Sequence, residues 1–254
     1  MTIFRHSVRG ACGARRGFPA LVGRSNVENG EWATSTSTKD YLLGYGSGYA
    51  NYTPMSGIAS ASDFASKPNQ VGFGLFFGSY VSDFDNFLHS FLAVPNYGLT
   101  SCWSARPHWN VYRMGLGETM GDVMRSVYNE GSSSFYNAGL LSCGIQASLL
   151  GDPTLRLHPL APAQDLQVQM VEQGSALNWA PSAATDLLGY HVYRAHDWDG
   201  AFVRLTSEPI AVLSFTDPTV TENIALYMVR AVALQRTPSR SYYNASQRGV
   251  RRDR

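Results

Sequence analysis

The sequence predicts an α/β domain with a mostly parallel sheet and flanking helices, followed by an all-β sandwich. Before Leu160, apolar runs typical of strands alternate with longer segments of helical spacing. After it, short alternating runs recur roughly every ten residues, which is typical of a sandwich. Pro159 and Pro162 interrupt both patterns. We therefore expect an irregular N-terminal segment at 1–37, an α/β domain at 38–160 and a sandwich at 161–250.

Strand and helix signals alternate through the first domain. "KDYLLGYGSGY" predicts a strand that runs into a glycine turn, and "VGFGLFFGSY" predicts a second, buried strand. "FDNFLHSFLAV" predicts a short helix and "YGLTSCWSA" a third strand. Two further helices are expected at "GLGETMGDVMRSVYNEG" and at "YNAGLLSCGIQASLLGDP", where glycine and proline end them. Right-handed crossovers would place the glycine turn and Gly78-Ser79 at the same edge of the sheet.

The second domain reads as a series of strands. The candidates are "DLQVQMV", "SALNWAP", "GYHVYRA", "FVRLT", "SFTD" and "IALYMVRAVA", with "SYYNASQRGV" as a possible seventh. Tyr190, Val192 and Arg194 alternate with His191 and Tyr193, as expected of a strand with one buried face. The pattern is typical of a small immunoglobulin-like sandwich.

Composition and charge exclude several function classes. The 254 residues are 44% hydrophobic and 15% charged, and 20 basic against 19 acidic residues give a net charge of +1. This balance provides no field to attract nucleic acid, and we interpret the basic end "RGVRRDR" as a solvated terminus. No apolar run reaches the ~18 residues that a membrane-spanning helix needs.

Metal and cofactor sites are not expected. Cys12, Cys102 and Cys143 form no cluster with metal-ligand spacing, so each is expected to be a buried thiol. The glycine-rich "GYGSGYANY" lacks the lysine of a P-loop and the spacing of a dinucleotide fingerprint, so a tight turn is the simpler interpretation. Glu118 and Asp122 lie in the first turn of a predicted helix, where acidic residues complement the helix dipole.

One segment, "CWSARPHW", resembles the rim of a binding pocket. It brings Trp103, Arg106 and His108 within a few residues of one another, and we take these three as candidate substrate-binding residues. Cys102 and His108 are a conceivable thiolate–imidazole pair, but a cysteine inside an apolar strand is usually a small buried hydrophobe.

Ser79 follows a buried strand, where ligands of open α/β sheets bind. From its position alone it is a nucleophile, the remnant of one, or a turn residue. The order of the segments around it resembles the latter half of the gingipain-type cysteine peptidases, which have a caspase-like fold. That family carries its histidine in a Gly-His-Gly-Ser-like turn, and its cysteine in a Cys-x-x-Gly-Asp-Phe-Asp-like stretch after the next strand.

The corresponding stretches here are Gly44-Tyr45-Gly46-Ser47 and the segment from Ser79 to Asp85. "NYGLTSCWSARPHW", "LGET" and "LLGDPTLRL" also resemble the family, so the likeness covers roughly residues 38 to 158. The segment at 161–250 resembles a fibronectin type III domain, with Tyr227 at the place of that family's corner tyrosine. The resemblance implies a bacterial, secreted or cell-surface protein that acts on peptides.

The catalytic dyad of this family consists of that histidine and that cysteine. Here Tyr45 stands at the histidine position and Ser79 at the cysteine position. A tyrosine with a pKa of about 10 is a poor base at pH 7, and a serine without a base stays protonated. If the chain does catalyse, Ser79 would be the nucleophile, with the amides of Gly46 and Tyr80 near the oxyanion. We therefore expect a truncated or catalytically degenerate member; if it is truncated, further strands of the family's catalytic domain would lie upstream of Met1. The alternative is a non-catalytic binding module that holds a peptide or a glycan.

Overall fold

The computed structural model describes residues 2–5, 14–51, 53–78, 86–104, 109–129, 147–197, 200–220, 225–238, 240–247 and 249–252. These divide into two compact units. The α/β unit comprises Met1–Leu157 with Thr237–Arg240, and the sandwich unit comprises His158–Arg236 with Ser241–Arg254. Among the described residues, all five α-helices belong to the α/β unit, and the sandwich unit consists of strands and loops. In the described part of the chain, no helix has the length and apolar character needed to cross a membrane.

The α/β unit is built around a mixed sheet. Its elements in chain order are β1 Ile3–Arg5, α1 Ala14–Val22, β2 Val27–Asn29, α2 Trp32–Thr36, β3 Tyr41–Ser47, β4 Pro54–Met55, β5 Ala59–Ser60, α3 Ala61–Ser66, β6 Val71–Phe77, α4 Asn86–Leu92, β7 Thr100–Ser104, α5 Met120–Asn129 and β8 Ala147–Gly151. Short 3-10 helices lie at Arg24–Asn26 and Val111–Leu116.

Within the described residues the main sheet has the strand order β2-β1-β3-β6-β7-β8. Its pairings are parallel except for β7 with β8, which is antiparallel. Strands β1 and β2 come from the segment at 1–37, which the sequence predicts to be irregular. The structure differs because each strand is only three residues long, too short for a period of two to stand out.

The C-terminal end of the α/β unit also differs from its prediction. The sequence predicts a helix that ends at Gly151, but Ala147–Gly151 is a strand that pairs antiparallel with β7. The rest of that predicted helix lies outside the described residues. Pairing with a buried neighbour decides the conformation of such a short apolar run, whose spacing alone suits either structure.

Both faces of the sheet are covered, as expected for buried parallel strands. On one face, Leu43, Phe73 and Cys102 pack with residues of α1, α5 and the 3-10 helix at 111–116. On the other, Phe76 and Trp103 pack with α2, α3 and α4. The sheet is therefore the middle layer of three.

The glycines of β3 and β6 make room for aromatic side chains. Gly44 and Gly74 are partners in the ladder. A Cβ at Gly44 would lie 2.7 Å from the Trp32 ring, and one at Gly74 would lie 2.8 Å from the Phe91 ring. The glycine-rich stretch thus belongs to a strand up to Ser47 instead of forming the tight turn that the sequence suggests.

The sandwich unit consists of two antiparallel sheets. Its strands are β9 Gln164–Val171, β10 Gly174–Ala180, β11 Leu187–Ala195, β12 Val203–Arg204, β13 Ser214–Asp217, β14 Leu226–Arg236, β15 Ser241–Ala245 and β16 Gly249–Arg252. One sheet has the order β13-β10-β9 and the other has β12-β11-β14-β15, with β16 also paired to β14. Each of the seven segments predicted as strands contains one.

The inner faces of these two sheets form one core. Trp179 of β10 and Tyr190 of β11 stack edge to face with ring centroids 5.7 Å apart. Leu177, Val192 and Tyr227 belong to the same cluster of buried side chains. Alternate residues of β11 and β14 therefore face inward, which leaves the others on the outer face of the sheet.

A buried carboxylate links three strands of the sandwich. Asp217 of β13 accepts hydrogen bonds from Arg194 Nη1 of β11 at 2.6 Å and from the Tyr227 hydroxyl of β14 at 2.9 Å. The Thr219 amide and hydroxyl donate to its other oxygen. Tyr227 therefore binds a carboxylate ten residues upstream, whereas a corner tyrosine binds the backbone.

Candidate functional site

The carboxyl ends of parallel strands meet at one edge of the α/β unit. Strands β3 and β6 are neighbours, and Tyr45 pairs with Leu75 and Ser47 with Phe77. The chain therefore leaves both strands at the same edge, where parallel sheets bind ligands. Gly78 is the last described residue after β6. Ser79 is the next residue in the chain, and the segment from Ser79 to Asp85 lies outside the described residues.

Two glycines bring the segments after β3 and β6 into backbone contact. The Gly48 amide donates to the Phe77 carbonyl at 3.1 Å. A Cβ at Gly78 would lie 2.4 Å from the Gly48 carbonyl oxygen, and a Cβ at Gly48 would lie 2.3 Å from the Ser56 carbonyl oxygen. No larger residue fits at either position without movement of the backbone, so the two chain exits are fixed side by side.

Tyr45 does not present its phenol at this edge. Its side chain is 2% exposed and lies in the core beneath α1, where its ring packs edge to face on Phe18 with centroids 6.2 Å apart. A side chain in this position is held by packing and is sealed from a substrate at the surface. The residue at the predicted base position is therefore a core residue in this chain.

Gly46, the predicted source of an oxyanion-binding amide, lies inside β3 opposite Phe76. A Cβ there would come within 3.0 Å of Ile58 and 3.2 Å of Phe76, so close packing accounts for a glycine at this position. Tyr80, its predicted partner, lies outside the described residues.

Trp103, predicted to line the rim, is a buried residue of β7 with 3% of its surface exposed. Its indole Nε1 donates to the Gly78 carbonyl at 2.9 Å. It therefore anchors the end of β6 from beneath instead of facing a ligand. Arg106 and His108, the other two predicted rim residues, lie outside the described residues.

Cys102 is buried, and burial raises the pKa of its thiol to about 12. At neutral pH the reactive thiolate is therefore negligible. This agrees with the expectation of a buried thiol and argues against a thiolate–imidazole pair with His108. Cys12 and Cys143 lie outside the described residues.

The acidic residues of "LGET" and α5 have structural partners. The Asp122 carboxylate accepts from the Thr119 amide at 3.1 Å, and the Thr119 hydroxyl accepts from the Asp122 amide at 3.2 Å. These two bonds cap the first turn of α5. The bond from the Thr119 backbone is the main cause of the lowered pKa of Asp122. Glu118 forms an ion pair with Arg113 at 2.5 Å.

The described residues contain no group of three or more histidine, cysteine, aspartate or glutamate side chains that could hold a metal ion. They do contain a concavity in the sandwich unit that sequence reasoning missed. His191 lines it, although its place in a strand predicts only a surface or packing role. No sequence signal marks this concavity, because its lining comes from separate strands that only the fold brings together.

Comparisons with known proteins give no family for this chain. No family model matches the sequence, and no curated protein matches it. Among solved structures, an Fn3-like protein from Clostridium thermocellum is similar at 18% identity over 37% of this chain and 92% of that chain, with a TM-score of 0.29.

Two enzymes are similar over smaller shares of their length. Pectate lyase Pel3 from Pectobacterium carotovorum matches at 17% identity over 34% of this chain and 27% of that chain, with a TM-score of 0.25. A beta-1,2-glucanase from Parabacteroides distasonis matches at 19% identity over 43% of this chain and 16% of that chain, with a TM-score of 0.24. Likenesses this distant carry nothing about function.

Proposed function

We propose that this chain is a catalytically inactive, peptidase-like binding protein of the gingipain type. In this proposal the α/β unit derives from a caspase-like domain that has lost its catalytic chemistry, and a fibronectin type III-like sandwich follows. In keeping with the resemblance, we propose that it works outside a bacterial cell and holds a ligand that it does not cleave.

The neighbouring positions of β3 and β6 support the peptidase-like part of this proposal. The resemblance requires the histidine turn and the cysteine turn to follow adjacent parallel strands. Here Gly48 and Gly78, which directly follow the two strands, are in backbone contact at one edge of the sheet. The two chain exits are therefore adjacent, as the resemblance requires, although the Gly44-Tyr45-Gly46-Ser47 stretch itself lies in β3.

The burial of Tyr45 is the observation that carries the inactive part. A base must reach the proton that it removes, within hydrogen-bond distance or through one water. A phenol that is packed on Phe18 beneath α1 cannot do so without opening the core. Without a base, the hydroxyl of Ser79 stays protonated and is a weak nucleophile.

The strand order of the sandwich supports the fibronectin type III-like part. One sheet of three strands packs on a sheet in which β11 and β14 are central, and both sheets share one core. Modules of this kind space or brace other domains or bind ligands, and fold alone does not choose among these roles.

A fluorophosphonate probe that labels activated serines tests the absence of catalysis. We expect no labelling of the wild-type protein beyond the level of Ser79→Ala, with Ser56→Ala as a matched control for an exposed serine of the same unit. Labelling that disappears in Ser79→Ala and persists in Ser56→Ala would contradict the proposal, because only an activated hydroxyl reacts at a useful rate.

A further inference from the structure

A groove of about 340 Å³ lies in the sandwich unit. Its lining includes His191 and Tyr193 of β11, Arg204 of β12, Glu208, Val232 of β14 and Tyr243 of β15. Its volume is near the lower limit of ligand pockets, which hold about 300 to 1,000 Å³. The groove therefore suits a small ligand or one end of a longer one.

The alternation of β11 places this groove on the outer face of the sheet. Tyr190 and Val192 point into the sandwich core. The residues between and beyond them, His191 and Tyr193, point to the opposite face. The apolar floor comes from Val232, which pairs in register with Ala245. Core packing thus fixes the backbone of the groove, while the side chains that line the groove face away from the core.

The imidazole of His191 is held in place. Its Nδ1 lies 2.9 Å from the Thr206 hydroxyl oxygen, which also accepts the Val192 amide at 3.2 Å. Burial is the main cause of the lowered pKa of His191, and the charge of Arg204 adds to it while that of Glu208 opposes it. The ring is therefore neutral at pH 7, and its other nitrogen is the one left for a ligand.

The charges of the lining balance. Arg204 and Glu208 carry opposite charges and flank a neutral histidine. Because these two charges offset each other, the groove as a whole attracts neither an anionic nor a cationic ligand. What the lining offers instead is a set of hydrogen-bond donors and acceptors, which matches a neutral ligand rich in hydroxyl groups.

The aromatic side chains of the groove are open to a ligand. Tyr243 is 74% exposed, although a large ring is usually covered. Tyr193 stands beside Arg204 in the β11–β12 ladder. An exposed ring beside polar groups can pack on the apolar C–H face of a sugar while the polar groups bind its hydroxyls.

An extended peptide fits this place less well. Peptides that bind sheets add a strand to a free edge and use its backbone groups. The floor of the groove is a face on which the backbones of β11, β14 and β15 are already paired with one another. A peptide here would leave most of its own amides without backbone partners.

We propose that this groove binds a short neutral glycan, with Tyr243 as the stacking surface and with His191, Arg204 and Glu208 as the hydrogen-bonding groups. The groove belongs to the sandwich unit, and its ligand does not depend on whether the α/β unit is catalytic.

Saturation-transfer NMR on the full chain, with cellotriose, xylotriose and maltotriose as probes, tests this proposal. We expect at least one probe to bind and its Kd to rise about tenfold in Tyr243→Ala and in Glu208→Ala, since a tenfold change corresponds to about 1.4 kcal/mol, the scale of one aromatic or hydrogen-bonding contact. Val212→Ala removes another side chain of the same unit, 61% exposed and outside the groove lining, and should leave binding unchanged.

The proposal fails if none of the three glycans binds at millimolar concentration. It also fails if binding survives unchanged in both groove variants, or if Val212→Ala weakens it equally. An unstructured peptide pool serves as the competitor. If it displaces the glycan and binds more tightly than any of the three glycans, the groove would be assigned to peptides instead. Because Tyr243 is exposed, its replacement is expected to leave the fold intact, and the thermal unfolding of each variant checks this.

Discussion

The side chain of Tyr45 has a structural role at a position where the resemblance implies a catalytic one. In the sequence it stands where the resemblance requires a histidine. In the structure it is 2% exposed and packs beneath α1 on Phe18. Its role is therefore in the stability of the α/β unit, and this role is measurable apart from any question of activity.

Replacing Tyr45 by alanine should lower the free energy of unfolding of the α/β unit by about 3 to 5 kcal/mol, because the change leaves a large cavity in a close-packed core. Tyr49→Ala is the matched control. Tyr49 is 68% exposed, so its loss should change this free energy by less than about 0.5 kcal/mol. Urea unfolding followed by circular dichroism measures both. Equal, small effects of the two changes would mean that Tyr45 is exposed, and the argument for inactivity would then fail.

At the scale of elements, Asp217 joins strands from both sheets of the sandwich. Its side chain is 2% exposed and forms an ion pair with Arg194 at 2.6 Å. Burial by itself raises the pKa of Asp217, but the hydrogen bonds from Thr219, Tyr227 and Arg194 together outweigh it, so the pKa is lowered. The carboxylate is thus charged in the folded unit and holds β11, β13 and β14 together.

The change Asp217→Asn should cost the sandwich unit about 3 kcal/mol at pH 7, because it leaves Arg194 without its buried counter-charge. A lowered pKa in the folded state adds stability above the unfolded value of about 3.9 and loses it as the pH falls through the folded value. The difference between wild type and variant should therefore be constant from pH 7 to about 5 and shrink below about 4.

Chemical unfolding of both proteins between pH 3 and pH 7 measures this dependence. Asp165→Asn serves as the control, since Asp165 is an exposed carboxylate of the same unit, and its loss should change the free energy of unfolding by less than about 0.5 kcal/mol. A difference between wild type and Asp217→Asn that stays the same down to pH 3 would show that the charge of Asp217 does not stabilise the fold.

The sequence predicts these elements unevenly, for physical reasons. Strands β3, β6 and β7 are marked by apolar runs with glycine turns, and the sandwich strands by a clear period of two. The three-residue strands β1 and β2 carry no such period, and β8 has an apolar run that suits a helix as well as a strand. Tertiary pairing decides these cases, and a single sequence does not contain it.

The candidate site is predicted less completely than the fold. Sequence order alone predicts that the chain leaves β3 and β6 at the same sheet edge, because adjacent parallel strands require it. Whether Tyr45, Gly46 and Trp103 are exposed or buried depends on the layers that pack on the sheet. All three prove to be interior positions. The groove in the sandwich depends on register between separate strands, which no local pattern reveals.

At the scale of the molecule, the chain consists of two units with their own cores. Pro159 and Pro162 lie at the start of the sandwich unit, just after the α/β unit ends at Leu157, and both are exposed. Limited digestion with a protease of broad specificity should therefore cut between His158 and Gln164 and release a folded piece of about 90 residues, because linkers are exposed and carry few contacts. Mass spectrometry locates the cut, and calorimetry should resolve two transitions.

A single cooperative transition, together with the absence of such a fragment, would contradict the prediction that the two units fold independently.

We propose that the chain does not cleave peptides. The most direct test compares the hydrolysis of a mixed peptide library by the wild-type protein and by Ser79→Ala. The two proteins should be indistinguishable and equal to the uncatalysed background, because losing nucleophile and base together removes several orders of magnitude in rate. Product formation by the wild type that Ser79→Ala abolishes, with the fold of the variant intact, would contradict the account and make Ser79 a true nucleophile.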